Sequence, residues 1–436
     1  MGQKNKSRLT AQSARALCIA LFLVAPALLP QLALVVHAAT FTVNSLDDAV
    51  DAAPGNGVCA TAGGVCTLRA AIQEANDLAG DDTIVLPAGT CTLTLAGAGE
   101  MNAATGDLDI HGNLAITGAG AAMTIINGNG GVTGDRVFFV HPGRVVTIIG
   151  VTMQNGNPGS GTTGGGIVNA GTLTVSNSTL MGNTAGNGGV IHNGNGRTLT
   201  LINSTVTGNN ATGGYGAIYN EGTLILTNST ISGNSATGDG GGIFSEVGTL
   251  TLTNSTVSGN SATGGGGGIV VAYGGTADLN NVTITNNTAD SDDDGFGNGG
   301  GIVCWGGTVN FKNTLIAGNN DDGGQAPDCS ETLTSQGYNL IQNTTGCTIA
   351  GDTTGNITGQ EPDLGPLQNN GGATFTHALL PGSPAIDAAN PAVPGSSGNA
   401  CEATDQRGVA RPQGTRCDIG AFESIVYPIY LPLVLR

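Results

Sequence analysis

The sequence predicts an all-β chain wound as a right-handed parallel β-helix, a solenoid with a short N-terminal capping helix and an irregular C-terminal cap. Two observations carry this expectation. A register of about two dozen residues recurs six times in the middle of the chain, and the composition suits stacked short strands better than a compact enzyme core. Of 436 residues 75 are Gly, only 10% are charged and 4% aromatic. Charge is too scarce for a solvated disordered chain, and the glycines follow no Gly-X-Y period, which excludes a collagen-like triple helix.

The register is set by Asn177, Asn203, Asn228, Asn254, Asn281 and Asn313, spaced 26, 25, 26, 27 and 32 residues apart. Four residues before each stand Leu173, Leu199, Leu224, Leu250, Ala277 and Val309, and two before stand Val175, Leu201, Leu226, Leu252, Leu279 and Phe311. Three after come Leu180, Val206, Ile231, Val257, Ile284 and Ile316; six after comes a second asparagine, Asn183, Asn209, Asn234, Asn260, Asn287 or Asn319. A Gly-rich turn then reaches an apolar anchor, Ile191, Ile218, Ile243, Ile269 or Ile302, with Ile167 opening the series and a weaker unit at Val146, Ile148 and Met153. Apolar residues alternate with Thr or Ser, the period of a strand with one buried face. A unit this short, repeated in register, reads as one rung of a solenoid rising about 4.8 Å per turn, with like side chains stacked in interior columns. Asn and Gly tolerate the left-handed backbone of the corners, and an amide can bond to its counterpart one rung away. The Asn-Ser-Thr sequences at Asn177, Asn203, Asn228 and Asn254 therefore read as ladder residues rather than glycan acceptors.

The ends differ in kind. Residues 1–38 read as an export leader: Lys4, Lys6, Arg8 and Arg15, an apolar run from Ala16 to Val36, then Val36-His37-Ala38. Residues 39–82 form a capping region in which Thr67 caps a helix whose Leu68, Ala71, Ile72 and Ala75 share one face, laid across the first rung. The repeats occupy 83–345, a proline-rich cap 346–424, and an apolar tail 425–436 that is too short to span a bilayer. Eight cysteines follow the leader. Cys59 with Cys66, Cys329 with Cys347 and Cys401 with Cys417 are the expected disulfides of an exported chain, leaving Cys91 and Cys304.

Removing the leader takes away four basic residues, leaving 9 Lys+Arg against 31 Asp+Glu, a net charge of 9 − 31 = −22. Such a surface repels phosphate backbones and anionic lipid, so nucleic acid is excluded as a partner and membrane contact is expected only through the leader or an anchoring system. Polysaccharide or a cell-surface glycan suits it better, and the charge favours a monomer.

Three stretches resemble families of exported bacterial proteins. Cys66-Thr-Leu-Arg-Ala-Ala-Ile-Gln-Glu-Ala-Asn76 resembles the CSLREA domain, with Thr67 and Ala70 in place of the usual Ser and Glu. The repeats, with Gly-Gly-Gly-Ile and Asn-Ser-Thr-x-x-x-Gly-Asn, are similar to the parallel β-helix repeats of the pectin lyase-like superfamily and to chlamydial polymorphic outer membrane protein repeats. His377-Ala-Leu-Leu-Pro-Gly-Ser-Pro-Ala-Ile-Asp387, Asp405-Gln-Arg-Gly-Val-Ala-Arg-Pro412 and Cys417-Asp-Ile-Gly-Ala-Phe-Glu423 resemble the choice-of-anchor Q domain. The resemblance implies a secreted or surface-displayed solenoid.

Enzymes of that superfamily cleave acidic polysaccharides, as lyases with a basic residue and calcium-binding carboxylates or as hydrolases with paired acids. Arg197 and Lys312 are the basic residues of the repeats, after Arg136 and Arg144, and neither a Gly-His-Gly nor an Arg-x-Lys motif occurs. No catalytic residue is assigned. One turn stands out: between the second asparagine and the anchor Ile, the fifth rung inserts Asp290-Ser-Asp292-Asp293-Asp294-Gly-Phe296-Gly. Register is expected to stack Asp290 on Asp322, with Asp321 beside them, so Asp290, Asp292, Asp293, Asp294, Asp321 and Asp322 form a candidate Ca²⁺ site, a hard cation for oxygen donors. His111, His141, His192 and His377 show no ligand spacing and read as isolated surface or turn residues. The expectation is a non-enzymatic adhesive or carbohydrate-binding rod, with a polysaccharide lyase or hydrolase as the alternative.

Overall fold

The computed structural model describes residues 38–425; the expected leader up to residue 37 and the apolar tail from residue 426 lie outside them. The chain is a right-handed parallel β-helix. Its strands form parallel sheets of 20, 11 and 6 strands, followed by one antiparallel pair, Leu364–Gln368 with Thr376–Leu379. A representative rung runs Thr198–Ile202, Thr205–Thr207, Asn210–Ala211 and Ile218–Asn220 before the next begins at Thr223.

The predicted columns are the core. Leu173 pairs with Leu199, Leu199 with Leu224 and Leu224 with Leu250, and Val175, Leu201, Leu226 and Leu252 follow in the same register. Every member of both columns is essentially inaccessible to water. Val146, Ile148 and Met153 extend the columns one rung earlier. The corners follow the expected chemistry: Asn177, Asn203, Asn228, Asn254, Asn281 and Asn313 all have φ between 46° and 54°.

The amide ladder, however, runs through the second asparagine of each rung. Asn183, Asn209, Asn234, Asn260 and Asn287 each donate Nδ2–H to Oδ1 of the next at 2.9–3.0 Å, and Asn319 ends the series on Asp328 Oδ1 at 2.9 Å. In the Asn177 column the corresponding bond links only Asn203 to Asn177, at 3.3 Å. Beyond it, Asn254 Nδ2 reaches Thr404 O and Asn281 Nδ2 reaches Gly420 O. Those corners serve the C-terminal segment.

At the N-terminal end the sheet starts earlier than the leucine pattern suggests, because Thr40–Thr42 pairs in parallel with Thr83–Val85. The helix Leu68–Asp77 follows, with Thr67 Oγ1 accepting from Ala70 N. Leu68, Ala71, Ile72 and Ala75 enter the solenoid core as expected, and Arg69, Gln73 and Glu74 are buried too. At the other end Cys347–Asp352 and Ile357–Thr358 still add in parallel, so pairing continues to Thr358. All three expected disulfides form. Among the described residues Cys91 and Cys304 are free and buried. Burial, then Asp48, pushes the Cys91 thiol up to about 11, which makes it a poor nucleophile.

The irregular C-terminal segment covers the last rungs through Leu379, Ala385, Ile419 and Phe422, packed with Leu315 and Leu340. It also runs back along the flank: Thr230 donates to Phe375 O at 2.7 Å, and Gln406 bonds Thr256 and Thr230 at 2.7 and 2.8 Å. His377 sits in this seam, Nδ1 against Gly365 O at 2.7 Å and Nε2 against Ser258 Oγ at 2.9 Å. A carbonyl only accepts, so Nδ1 carries the proton and Nε2 accepts from the serine. Burial lowers the His377 pKa. The folded pKa is depressed, so the contribution of His377 to docking is complete above the unfolded value of about 6.5 and is lost as pH falls below it. Burial raises Asp418 and Glu423, at the Arg411 end of the segment, and these act with the opposite sign. Comparison with His377→Gln separates the two. Amide protection across residues 364–379, taken relative to the intrinsic base-catalysed exchange rate at each pH, is expected to fall from pH 7 to pH 5 in the parent and to change less in H377Q; an equal fall in both removes His377 as the cause.

Candidate functional face

Strands such as Ile191–Asn193 turn their first and third residues inward and their second outward. Register therefore builds an outward column of Asp109, Phe139, Val168, His192, Tyr219, Phe244, Val270 and Val303. Two residues further along each strand lies a second column that includes His111, His141, Glu221, Glu246, Ala272 and Trp305. Columns that look unrelated in sequence thus share one flat face of the solenoid.

Its middle is aromatic and acidic. The rings of His192 and Tyr219 stack at 5.0 Å, Tyr215 and Phe244 at 4.3 Å, and Tyr215 meets Tyr219 at 5.6 Å. Phe244, Val270, Ala272 and Val303 form the buried floor, with Tyr215, Tyr219 and Trp305 half exposed upon it. His192 Nε2 lies 2.7 Å from Glu221 Oε2 and its Nδ1 3.0 Å from Thr163 Oγ1. Tyr219 donates its hydroxyl proton to Glu246. Burial first, then that bond, drives the Tyr219 pKa upward, so the phenol keeps its proton.

The acidic turn borders this face. Trp305 lies across Gly265, where an added Cβ would sit 2.6 Å from the indole and 3.0 Å from Asn298 O, at the foot of the turn. Phe296, in the turn, is 79% exposed. Of the six candidate carboxylates, Asp290, Asp292 and Asp294 offer oxygens within 4.8 Å of one another. Asp290 is buried, and its two oxygens already accept from the backbone N–H groups of Asp294 and Gly295, both at 3.1 Å. Burial raises its pKa despite those bonds. Asp293 is a left-handed turn residue outside the cluster. Asp321 pairs in register with Ala289, and its carboxylate accepts the N–H groups of Gly323, Gln325 and Ala326. Asp322 takes a bond from Asn320. The turn thus gathers three of the six, while both oxygens of Asp321 and one oxygen of the exposed Asp322 accept local hydrogen bonds.

The chain matches no family model and no curated protein. Among solved structures it is similar to pectate lyase Pel9A, with a TM-score of 0.50 and 15% identity over 88% of this chain and 96% of that one. The fold is that of the pectate lyase β-helix. At this identity the likeness concerns the fold alone, and the fold and disulfides accord with an extracellular protein.

At the N-terminal end of the β-helix face the same two columns carry a polar group that linear reading missed. His111 and His141 stack at 3.7 Å, and His141 Nε2 is 3.0 Å from Asp109 Oδ1. Asp107 and Asp135 lie alongside, with Arg136 Nη1 3.0 Å from Asp107 Oδ2 and 3.7 Å from Asp135 Oδ1. Burial, then Asp135 and Asp109, pushes Asp107 up to about 7, only partly offset by Arg136. The signal was available: Leu108-Asp-Ile-His111 and Phe138-Phe-Val-His141 align with an interval of 30 residues. The irregular stretch between them hides it from a scan tuned to the later rungs.

Proposed function

We propose that the protein is secreted or displayed at the cell surface and binds polysaccharide through the aromatic middle of this face without cleaving it. The observation that carries the reading is the platform of Tyr215, Tyr219 and Trp305 laid on the buried Phe244 and Val270 floor and flanked by Glu221, Glu246 and His192. Half-exposed rings offer flat apolar area to the faces of sugar rings, and carboxylates and imidazole accept and donate to hydroxyls. Repetition at one rung spacing suits an extended chain. The export leader, the three disulfides and the motif resemblances to exported families support the location. Net negative charge favours neutral glycans, and the Asp290, Asp292 and Asp294 turn, beside Trp305, is proposed as a Ca²⁺-responsive edge of the site.

The test is affinity electrophoresis through gels containing xylan, galactomannan or pectate, with and without Ca²⁺. Retardation is expected in at least one neutral glycan, weakened about tenfold or more by Tyr219→Ala or Trp305→Ala, which corresponds to about 1.4 kcal/mol. Free migration in every gel, or retardation that both substitutions leave intact, overturns the reading. A second reading, a polysaccharide lyase, draws on Arg136 among Asp107, Asp109 and Asp135, since β-elimination needs a base and anchored acidic groups. Unsaturated products released from pectate, and lost in Arg136→Gln, would replace the first reading with this one.

A further inference from the structure

We propose that Asp109, His111 and His141 form a Zn²⁺ site with two imidazoles, one carboxylate and a fourth position open to solvent. It lies on the face described above but stands independently of glycan binding. The three side chains present one donor atom each, all within 4.8 Å of one another. Ligands held at 2.0–2.2 Å around a tetrahedral Zn²⁺ stand about 3.3 Å apart. His141 Nε2 and Asp109 Oδ1, 3.0 Å apart, already stand close to that edge; the His111 ring, stacked on His141 with centroids 3.7 Å apart, turns out of the stack to bring its lone pair onto the same ion.

Proton positions support the same assignment. His111 Nε2 contacts Met101 O at 2.5 Å, and a carbonyl can only accept, so Nε2 bears the hydrogen and Nδ1 keeps its lone pair. Fixing an imidazole by its other nitrogen on a carbonyl is how metal-binding histidines are oriented. Asp109 is steadied in turn by the Ala103 N–H on Oδ2, at 3.2 Å, which leaves Oδ1 facing His141. The ion takes the place of the proton between Asp109 Oδ1 and His141 Nε2, and the bound His141 is the neutral ring with its one hydrogen on Nδ1, any further proton passing to solvent.

Charge balance points the same way. Asp107, Asp109 and Asp135 are each at most 2% exposed, and Arg136 is the cation paired with Asp107 and Asp135. Arg136 is thus shared between Asp107 and Asp135, and among the described residues Asp109 has no guanidinium or ammonium partner, which leaves its carboxylate available to a cation. A cleft of about 280 Å³ lined by Gln73, Asn76, Asp77 and Asn102 opens onto one of the three, His111. Imidazole donors select Zn²⁺ over Ca²⁺, which separates this site from the acidic turn.

The experiment uses the whole protein stripped with EDTA and titrated with Zn²⁺ and with Co²⁺ as a spectroscopic probe. One equivalent is expected to bind with micromolar or tighter affinity, with a four-coordinate Co²⁺ absorption. His111→Ala and His141→Ala should each weaken binding at least about 100-fold and Asp109→Asn about 10- to 100-fold, while His377→Gln leaves it unchanged. In case a variant misfolds, Zn²⁺ is also expected to shield His111 and His141 of the unaltered protein from diethylpyrocarbonate. Binding that survives both histidine substitutions, a six-coordinate Co²⁺ spectrum, or modification of the two histidines at the same rate with and without Zn²⁺ overturns the proposal.

Discussion

Asn234→Ala is expected to destabilise the middle rungs by about 3–5 kcal/mol, far more than its exposed-looking Gly-Asn-Ser context suggests. Asn234 Oδ1 accepts both the backbone N–H and the Nδ2–H of Asn209, at 3.0 and 2.9 Å. Its own Nδ2 donates to Asn260 Oδ1 and Val206 O, at 2.9 and 3.1 Å. Truncation orphans the buried backbone N–H of Asn209 on one side, and on the other takes the amide donor from Val206 O and leaves Asn260 Oδ1 with only the residue 234 backbone N–H. The amides all donate in one direction, toward Asp328, so each bond polarises the next and a break is felt on both sides. Asn228→Ala is the comparison. Asn228 is a left-handed corner whose Oδ1 already lacks a partner, so the loss is mainly the backbone preference, about 1–2 kcal/mol. Urea unfolding of the two variants decides it. Equal midpoints would show that the ladder carries no more than a corner does.

The two asparagine columns also show what the sequence discloses. Both recur once per rung, and a repeating Asn says that a rung needs that residue without saying whether for its backbone angle or its amide. The apolar columns had no such ambiguity, since alternation fixes which side chains face inward and the repeat fixes what each one stacks on. Alternation does not say what covers the other face. Thr230, Thr256 and Thr283 alternate with Ile231, Val257 and Ile284 as solvent-facing residues do, yet all three are buried beneath the C-terminal segment. The functional face was hidden for a related reason. Tyr219 and Phe244 occupy outward positions that carry no constraint from the core, so no periodic signal marks them. Trp305 joins them only through pairing with Ala272. The three disulfides were legible because their partners are close in sequence, and Arg69 was not, because its partners come from two separate loops, at Asp48 and at Ala103–Asp107.

Arg69→Met should cost about 3–5 kcal/mol and loosen the N-terminal end while the later rungs stay intact. Arg69 is fully buried and pairs with Asp48 at 2.6 Å, while its remaining N–H groups donate to the carbonyls of Ala103, Gly106 and Asp107. Asp48 also accepts the N–H groups of Thr94 and Leu95. One guanidinium therefore ties the chain before the helix, the helix itself and the loop from Thr94 to Asp107 into a single cover. Methionine keeps the volume but leaves three carbonyls and a buried carboxylate without their donor. Lysine keeps the charge but cannot fork to four acceptors, so Arg69→Lys should fall between. A solenoid couples each rung chiefly to its neighbours, so the damage should stay local: amide protection lost over residues 40–110 and retained beyond 172. The free edge of Thr40–Thr42 would then be open to pair with other molecules, and light scattering at raised concentration should reveal growing assemblies. Uniform loss of protection along the chain would mean that the whole solenoid unfolds as one unit. Unchanged stability would mean that the cover is held by Leu68, Ile72 and the Cys59–Cys66 bond without the arginine.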